Sequence, residues 1–503
     1  MNNEKQIKRG IVVNVFGMLG QLSGPASLLV AARLYGADRL GVFLASLALL
    51  DIAISFLTSG FRDAALMFVA RHAGEGETHE DEDEGEEDRQ LYQSLANAIA
   101  WSFGCSVLVI GAAYLLVPLY ATRFDSFSTE LIPMVQLMVL GIPFFSFARI
   151  VLAATQGLKI MKYEAIDAAG RSLSLFVLAL TLWPLTHSGI GLALAYLGSQ
   201  IISFCFSVYV FRRRFSTKKL GRALRCFRLH RSLLKYAIPQ NLNMALNHFI
   251  TQVDVLMLAY LGASAFQVGF YGAAARIVRE LRRIRTVFSG ALSPHIVVLF
   301  KKFQLQELST LYSRTCGWIA LIAIPAILLL AAVHPQILKL VDPQFVGDTR
   351  FVFVLLLLPY LDCCYGLAGN LIAMTGHSRI NLFNSTVIGL SNVVLNAFLI
   401  PSHGLLGAAI ASAIASVLMT LLQILEASKL LRIPLQGSLL YRPHLAGAFA
   451  LAAGYGANRW LLAGQQGLTL QLALTAAMLI PFAGSYVLLG GRFRRAAPQK
   501  APL

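Results

Sequence analysis

Five arginines lie within a ten-residue part of an apolar stretch in this 503-residue chain, between Arg276 and Arg285. In a continuous helix, Arg276, Arg279 and Arg283 would stack on one face over roughly 10 Å, because residues three, four and seven apart share a face. Glu280, four residues after Arg276, would share that face as a counter-charge. Guanidinium groups hold phosphates through pairs of parallel hydrogen bonds. The spacing therefore predicts a binding site for an anion such as a diphosphate.

Three further arginines lie in other apolar stretches and are candidates for the same site: Arg62, Arg149 and Arg171. A charged side chain inside a bilayer costs about 2.5 kcal/mol or more, so each must face an aqueous cavity or a partner. The acids considered as partners are Asp63, Asp167, Asp254, Glu280 and Asp362. Five acids cannot neutralise eight arginines, and the excess positive charge favours an anionic substrate. The alternative is that the arginines pair with these acids or reach lipid headgroups, as expected for Arg282 and Arg285. Asp63, Asp254 and Glu280 are the candidate counter-charges or coupling groups.

The elements that carry these side chains are long apolar runs. The chain is 57% hydrophobic and 13% charged, with a mean hydropathy of +0.66. Runs of roughly 18 to 25 residues are long enough to cross a hydrocarbon core about 30 Å thick. About fourteen are present, at 11–32, 42–61, 93–118, 131–153, 166–186, 189–210, 237–261, 269–293, 311–333, 351–374, 381–400, 404–426, 443–463 and 468–490. These runs predict an all-α, multi-pass membrane protein.

The distribution of charge predicts the orientation. With the N-terminus inside, 28 of the 42 Lys and Arg fall in cytoplasmic segments and six fall in outer loops. This asymmetry places both termini in the cytoplasm, and the net charge of +17 then requires no nucleic acid partner. The acidic run 75–88, in the loop 74–89, has ten acidic residues. It is expected to be a solvated cytoplasmic loop, with a docking site for a basic partner as the alternative.

Matching turns indicate an internal repeat. Gly36 corresponds to Gly262 at an offset of 226 residues, and similar offsets relate Gly157 to Gly376 and His187 to His403. The predicted organisation is a six-helix lobe over 1–211, a basic linker over 212–235, a second six-helix lobe over 236–430, and two helices with a basic tail over 431–503. An even number of helices per lobe makes the repeat parallel, with a central cavity between lobes. This is transporter architecture.

Several motifs resemble polysaccharide flippases of the multidrug/oligosaccharidyl-lipid/polysaccharide (MOP) exporter superfamily. Residues 33–43 read RLYGADRLGVF, residues 254–263 read DVLMLAYLGA, and residues 268–276 read VGFYGAAAR. Gly60-Phe61-Arg62 is similar to the end of the family's second helix. The resemblance covers about 1–430 and implies a MATE/MurJ-like fold.

The resemblance also implies a function. A Wzx-type flippase carries undecaprenyl-diphosphate-linked oligosaccharide from the cytoplasmic to the periplasmic leaflet by alternating access. It would sit in the bacterial inner membrane, among membrane lipids, with the polysaccharide polymerase and export machinery as further partners.

Three alternatives stay open: a multidrug cation antiporter of the same superfamily, a lipid II flippase, and a membrane glycosyltransferase or polymerase. The cation antiporter should carry acids in its first lobe, and the run 11–32 has no charged residue. The polymerase needs sizeable outer loops with catalytic groups, and the largest outer loop, 334–350, offers only Asp342 and Asp348. No nucleotide motif, metal cluster or catalytic triad is recognisable, so no cofactor and no catalytic residue is predicted.

Overall fold

The structure is a computed structural model that describes residues 31–75, 84–121, 128–158, 160, 162–186, 188–225, 231–345, 347–457 and 468–488. Almost all of the first predicted run, the centre of the acidic run, His187 and the basic tail lie outside these residues. Within them, sixteen helices and no strands are found. They are α1 (Ala37–Glu75), α2 (Glu84–Ala121), α3 (Ser128–Val139), α4 (Ile142–Gly157), α5 (Lys162–Thr186), α6 (Ile190–Arg214), α7 (Thr217–Arg225), α8 (Arg231–Tyr260), α9 (Ala265–Glu280), α10 (Arg283–Lys301), α11 (Leu305–Val341), α12 (Arg350–Tyr365), α13 (Leu367–Met374), α14 (Ser378–Lys429), α15 (Gly437–Gly456) and α16 (Leu468–Leu488).

Each predicted run from the second to the fourteenth overlaps one or two of these helices. By length and composition, seven helices of the described part can cross a membrane, or eight if the bent pair α12 and α13 forms one span. The helix α14 contains a kink at Gly404, where φ is 55°, and this residue is the first of the second run predicted there. The all-α, multi-pass membrane class is confirmed, and the number fourteen stays a prediction.

Contacts between Cα atoms divide the chain into two compact units. The first comprises Met1–Ala273, Val341–Phe345 and Asn392–Ala408, and the second comprises Ala274–Leu340, Val346–Ser391 and Ala409–Leu503. The boundary therefore falls inside α9. The predicted lobes 1–211 and 236–430 are a different partition, and they stay a prediction.

The first unit is built around close packing of α1 against α8 and the start of α9. At Gly60, a side chain would overlap the carbonyl oxygen of Ala237, and at Gly41 it would overlap that of Ala265. These approaches lie 19 residues apart on α1, which is about 28 Å along a helix. Only glycine lets two helix backbones come so close, so both glycines are needed for this packing.

The glycines of one predicted repeat pair share an unusual backbone conformation. Gly36 has φ of 89° and Gly262 has φ of 90°, a region that side chains other than glycine rarely adopt. Gly36 separates the helical residues 31–35 from α1, and Gly262 separates α8 from α9. Of a second pair, Gly376 has φ of 90°, whereas its partner Gly157 is the last residue of α4.

The eighth predicted run is a broken helix. The chain leaves α9 at Glu280 and enters α10 at Arg283. In the turn between them, backbone N–H groups bond to carbonyls three residues earlier, such as Arg282 to Arg279 at 3.1 Å and Arg285 to Arg282 at 3.1 Å. This tighter winding changes the angle per residue. The expectation of one continuous helix from Arg276 to Arg283 is therefore wrong, and the shared face of these arginines stays a prediction.

Candidate functional site

In the first unit, an acidic side chain of α5 joins arginines from two other helices. Arg62 of α1 donates from Nη2 to Oε1 of Glu164 at 2.9 Å and from Nη1 to Oδ1 of Asp63 at 3.1 Å. Arg149 of α4 lies 3.8 Å from the same Glu164 oxygen. All four side chains are between a fifth and a third exposed. Glu164 is therefore shared by two cations at the edge of the packed helices.

A second ion pair lies one turn further along α5. Arg171 Nε is 2.9 Å from Oδ2 of Asp167, and Ser203 of α6 donates to Oδ1 of the same carboxylate at 2.5 Å. The guanidinium groups of Arg149 and Arg171 lie 5.6 and 5.1 Å from the ring centroid of Phe145. Cations at such distances from an aromatic ring are stabilised by its electron density.

The structure thus brings three of the predicted site arginines together, and each has an acidic partner. We call Arg62, Arg149, Arg171, Asp63, Glu164 and Asp167 the paired network. It has as many acids as arginines. The alternative interpretation, in which arginines inside the membrane pair with acids, describes these contacts. Three atoms of the network, Arg62 Nε, Glu164 Oε2 and Arg171 Nε, are buried without a hydrogen-bond partner among the described residues, although Arg171 Nε takes part in the ion pair with Asp167.

The other five arginines lie on α9, on α10 and in the turn between them. Arg283 Nε is 2.6 Å from Oε2 of Glu280, and Arg285 Nε is 3.0 Å from Oδ2 of Asp362 on α12. Arg279 donates from Nε to the carbonyl oxygen of Ala275 at 3.1 Å. The structure places Arg285 in an ion pair with Asp362, and its expected position facing the cytoplasm or the lipid headgroups stays a prediction. We call Arg276, Arg279, Arg282, Arg283 and Arg285 the arginine cluster.

Two members of the arginine cluster differ from the rest. Arg276 is half-buried and makes neither a hydrogen bond nor an ion pair with any residue that the structure describes. Arg282 is also half-buried, and its Nε atom is buried without a hydrogen-bond partner in the same part of the chain. Arg282 was expected to face water or headgroups, which does not agree with the burial of Nε. Because the guanidinium group of Arg276 has unused donors and is only half-buried, it can bind an external anion.

Asp254, a predicted counter-charge, is held by hydrogen bonds in the first unit. It is buried, and its Oδ2 accepts a bond of 2.7 Å from the hydroxyl of Tyr271 on α9. Its Oδ1 accepts from the backbone N–H of Val255 at 2.9 Å. The bond from Tyr271 joins α9 to α8 across the turn at Gly262.

Sequence reasoning misses two acidic residues. Asp51 lies inside the run 42–61, on α1, and accepts a hydrogen bond of 3.2 Å from Gln252 of α8. Glu164 falls just before the run 166–186 and so is not counted as a span residue, although α5 begins at Lys162. A count of every acid within one helical turn of each run would have found both residues.

More than half of the chain matches a known protein family. The family model described as polysaccharide biosynthesis protein matches residues 8–300. The probable flippase AglR of Haloferax volcanii is 26% identical over 262 residues, which cover 48% of this chain and 52% of AglR. The matched part thus spans about half the length of that relative.

Solved structures share the fold at low sequence identity. The lipid II flippase MurJ in an inward closed conformation matches with a TM-score of 0.70 and 13% identity, over 95% of this chain and 98% of that one. An inward-facing MATE-family multidrug resistance transporter of the MOP superfamily matches with a TM-score of 0.63 and 17% identity, over 84% and 98%. The predicted MATE/MurJ-like fold is confirmed.

Proposed function

Because this chain belongs to the polysaccharide biosynthesis protein family, we propose that it is a Wzx-type flippase. Its cargo would be an oligosaccharide linked to undecaprenyl diphosphate, moved from the cytoplasmic to the periplasmic leaflet of a bacterial inner membrane. Similarity to one protein named as a probable flippase and to one named as a lipid II flippase supports the transport of a lipid-linked cargo. Transport, rather than catalysis, would be its activity, and the polymerase and export machinery would receive the product.

The observation that carries the cargo proposal is Arg276, a half-buried arginine without a partner in the described part of the chain. The arginine cluster has five cations, and within the described part of the chain Glu280 and Asp362 form ion pairs with two of them. A diphosphate has enough acceptor oxygens to bond several guanidinium groups at once. Arg276, Arg279 and Arg283 are the proposed substrate-binding residues, with Glu280 as the counter-charge.

The arginines of the paired network would act differently from those of the arginine cluster. Arg62, Arg149 and Arg171 would contact substrate only after an acid releases one of them, because the structure pairs all three. Asp63 and Asp254 would serve as counter-charges or coupling groups. The break between α9 and α10 supports Arg276 and Arg279 as the central pair, since both lie on α9 three residues apart.

The test is export by single-site variants in a strain that lacks its own polysaccharide flippase. Arg276→Ala should bind a diphosphate lipid roughly 30-fold or more weakly, because a hydrogen-bonded charge contributes about 2–3 kcal/mol. Surface polysaccharide should be lost, and lipid-linked oligosaccharide should accumulate inside. Arg276→Lys should restore export only in part, because an ammonium group cannot make the two-pronged contact.

The matched control is Lys302→Ala, which removes an exposed cation just after α10 and should leave export unchanged. Protein abundance and the thermal unfolding midpoint should match wild type for every variant. Full export by the Arg276→Ala/Arg279→Ala double variant, at normal abundance, would refute the cargo site.

A multidrug cation antiporter is the second candidate, because the MATE fold is shared and Asp51 is an acid inside an apolar run. In that case Asp51→Asn should abolish drug resistance conferred by the protein, and Arg276→Ala should not. A flippase specific for lipid II would instead replace a missing lipid II flippase in cells, whereas a Wzx-type flippase would not.

The polymerase alternative is disfavoured by the outer-loop carboxylates. Asp348 forms an ion pair with Arg350, and hydrogen bonds from the side chain and backbone of Arg350 hold the pKa of Asp348 below its ordinary value. Asp342 accepts a hydrogen bond of 2.8 Å from the backbone of Gln344. The lowered pKa of Asp348 makes its carboxyl group a poor general acid.

A further inference from the structure

The short helix α7 lies at the end of a membrane span. The apolar helix α6 ends in Arg212, Arg213 and Arg214, and α7 begins at Thr217. Two residues separate the helices, and they cover at most about 7 Å. Arg213 donates to the hydroxyl of Tyr209 at 3.0 Å, as is common where a span meets the headgroups. The N-terminal end of α7 is therefore held near the level of the lipid headgroups.

Packing within the first unit determines which face of α7 is exposed. Ala223 is buried in the core that contains Phe61, Leu95 and Leu233 from α1, α2 and α8. The connecting residue Phe215 is also part of this core.

Contacts with Tyr92 of α2 fix the position of the helix. The backbone N–H of Ser216 donates to the Tyr92 hydroxyl at 2.7 Å, and Lys219 Nζ lies 5.8 Å from the centre of that ring. The helix is therefore anchored to α2 at its first turn and buried at Ala223.

The outward face of α7 is basic and partly apolar. Seven basic side chains are exposed on α7 and at the end of α6: Arg212, Arg213, Arg214, Lys218, Lys219, Arg222 and Arg225. No acidic residue occurs from 212 to 225. Among these cations, Leu224 is 41% exposed. We call these eight residues the α7 surface.

We propose that the α7 surface binds the headgroups of anionic phospholipids. The leaflet is the one at the carboxyl end of α6, which is cytoplasmic in the predicted topology. Cationic side chains next to a span attract anionic headgroups, and an exposed leucine among them can enter the headgroup region. A nucleic acid would gain from the charges but not from this leucine, and the position of α7 directly after the span α6 favours lipid headgroups over an acidic protein. The proposal is independent of the cargo.

The acidic run 75–88 is the competing occupant within the chain. Its last residue, Asp88, precedes Tyr92 by one helical turn on α2, and Tyr92 contacts α7. Neutralising the acids that precede Tyr92 in the sequence tests whether these acids, rather than lipids, compensate the positive charge of the α7 surface. The corresponding variant is Glu84→Gln/Glu86→Gln/Glu87→Gln/Asp88→Asn.

The experiment uses the full chain in detergent, titrated with dioleoyl phosphatidylglycerol or, separately, with dioleoyl phosphatidylcholine. The thermal unfolding midpoint and native mass spectrometry report lipid binding. Phosphatidylglycerol should stabilise the wild-type protein, and phosphatidylcholine should not. Each neutralised cation should weaken phosphatidylglycerol binding about fivefold. The variant Lys218→Gln/Lys219→Gln/Arg222→Gln/Arg225→Gln should therefore lose the stabilisation.

The matched control removes four exposed cations elsewhere: Lys302→Gln/Arg314→Gln/Lys429→Gln/Arg432→Gln. It should keep the response to phosphatidylglycerol, which excludes a simple effect of net charge. An equal response of the α7 variant and wild type would overturn the proposal. The proposal would also be overturned if phosphatidylglycerol bound to the Glu84→Gln/Glu86→Gln/Glu87→Gln/Asp88→Asn variant but not to the wild-type protein. The acidic run would then be the occupant of the α7 surface.

Discussion

Around α1, α4 and α5, three arginines meet three acids. Around α9 and α10 there are five arginines, and the ion pairs given by the described residues involve two acids, Glu280 and Asp362. In the paired network, Glu164 is bonded to Arg62 and lies near Arg149, and Asp167 is bonded to Arg171. In the arginine cluster, Glu280 and Asp362 each hold one arginine, and Arg276 has no described partner. Both regions are rich in arginine, but of the two only the cluster contains an arginine, Arg276, with neither a hydrogen bond nor an ion pair to any residue that the structure describes.

This difference teaches that a count of arginines inside apolar runs does not identify a binding site. An arginine whose donors are already bonded must break those bonds to bind a ligand, and this cost reduces the affinity. An arginine without partners has no such cost, but it destabilises the unliganded protein. We therefore expect the paired network to contribute to stability and the arginine cluster to anion binding.

The largest expected effect comes from Glu164→Gln in the paired network. The substitution leaves Arg62 and Arg149, both less than a third exposed, without their shared carboxylate. Breaking such a pair from one side costs about 3 kcal/mol, because a partly buried charge loses its partner. The thermal unfolding midpoint and the abundance in membranes should fall clearly.

The double variant Arg62→Gln/Glu164→Gln is the control for this prediction. It removes the uncompensated charge together with the acid, so much of the lost stability should return. An unfolding midpoint of Glu164→Gln equal to that of wild type would contradict the assignment of Glu164 to stability.

The paired network also shows what the sequence could predict. The apolar runs and the family motifs are local features, and they predicted the helices, the membrane class and the fold. The bond between Arg62 and Glu164 joins residues 102 positions apart, and that between Gln252 and Asp51 joins residues 201 apart. Such pairs depend on how helices pack, so the sequence indicated candidate arginines and acids but not which of them pair, and the binding site itself stays a prediction.

The break between α9 and α10 was hidden for a different reason. Residues 269–293 contain no proline, and the hydropathy of the run continues through Leu281. The turn there is instead stabilised by contacts with another helix, since Cys363 of α12 donates from Sγ to the carbonyl oxygen of Leu281 at 3.4 Å. A local pattern cannot reveal a turn that depends on a residue 82 positions away.

An intermediate effect is expected for Asp362→Asn in the arginine cluster. Asp362 is bonded to Arg285 and interacts electrostatically with Arg282. Losing a hydrogen bond between charged groups costs about 2 kcal/mol, so the unfolding midpoint should fall less than for Glu164→Gln. Differential scanning fluorimetry of both variants side by side measures the order. A larger loss for Asp362→Asn would reverse the comparison and make the cluster the more structural region.

The smallest stability effect, and the sharpest distinction between the two regions, is expected for Glu280→Gln. Arg283 is 38% exposed and Glu280 is 28% exposed, so water already solvates this pair. Such pairs contribute about 0–1 kcal/mol, and the unfolding midpoint should barely change.

The affinity of the Glu280→Gln variant for a diphosphate lipid should rise, although its stability does not. Removing the negative charge should strengthen binding of a diphosphate lipid by roughly threefold to fivefold, since the released energy is about 1 kcal/mol in a water-filled site. The dissociation constant for undecaprenyl diphosphate, measured by titration in detergent, checks this. Glu307→Gln, an exposed acid at the start of α11, is the matched control and should leave the constant unchanged. Unchanged or weaker binding by Glu280→Gln would mean that the anion does not approach Arg283, and the proposed site would then lose the residue beyond the break.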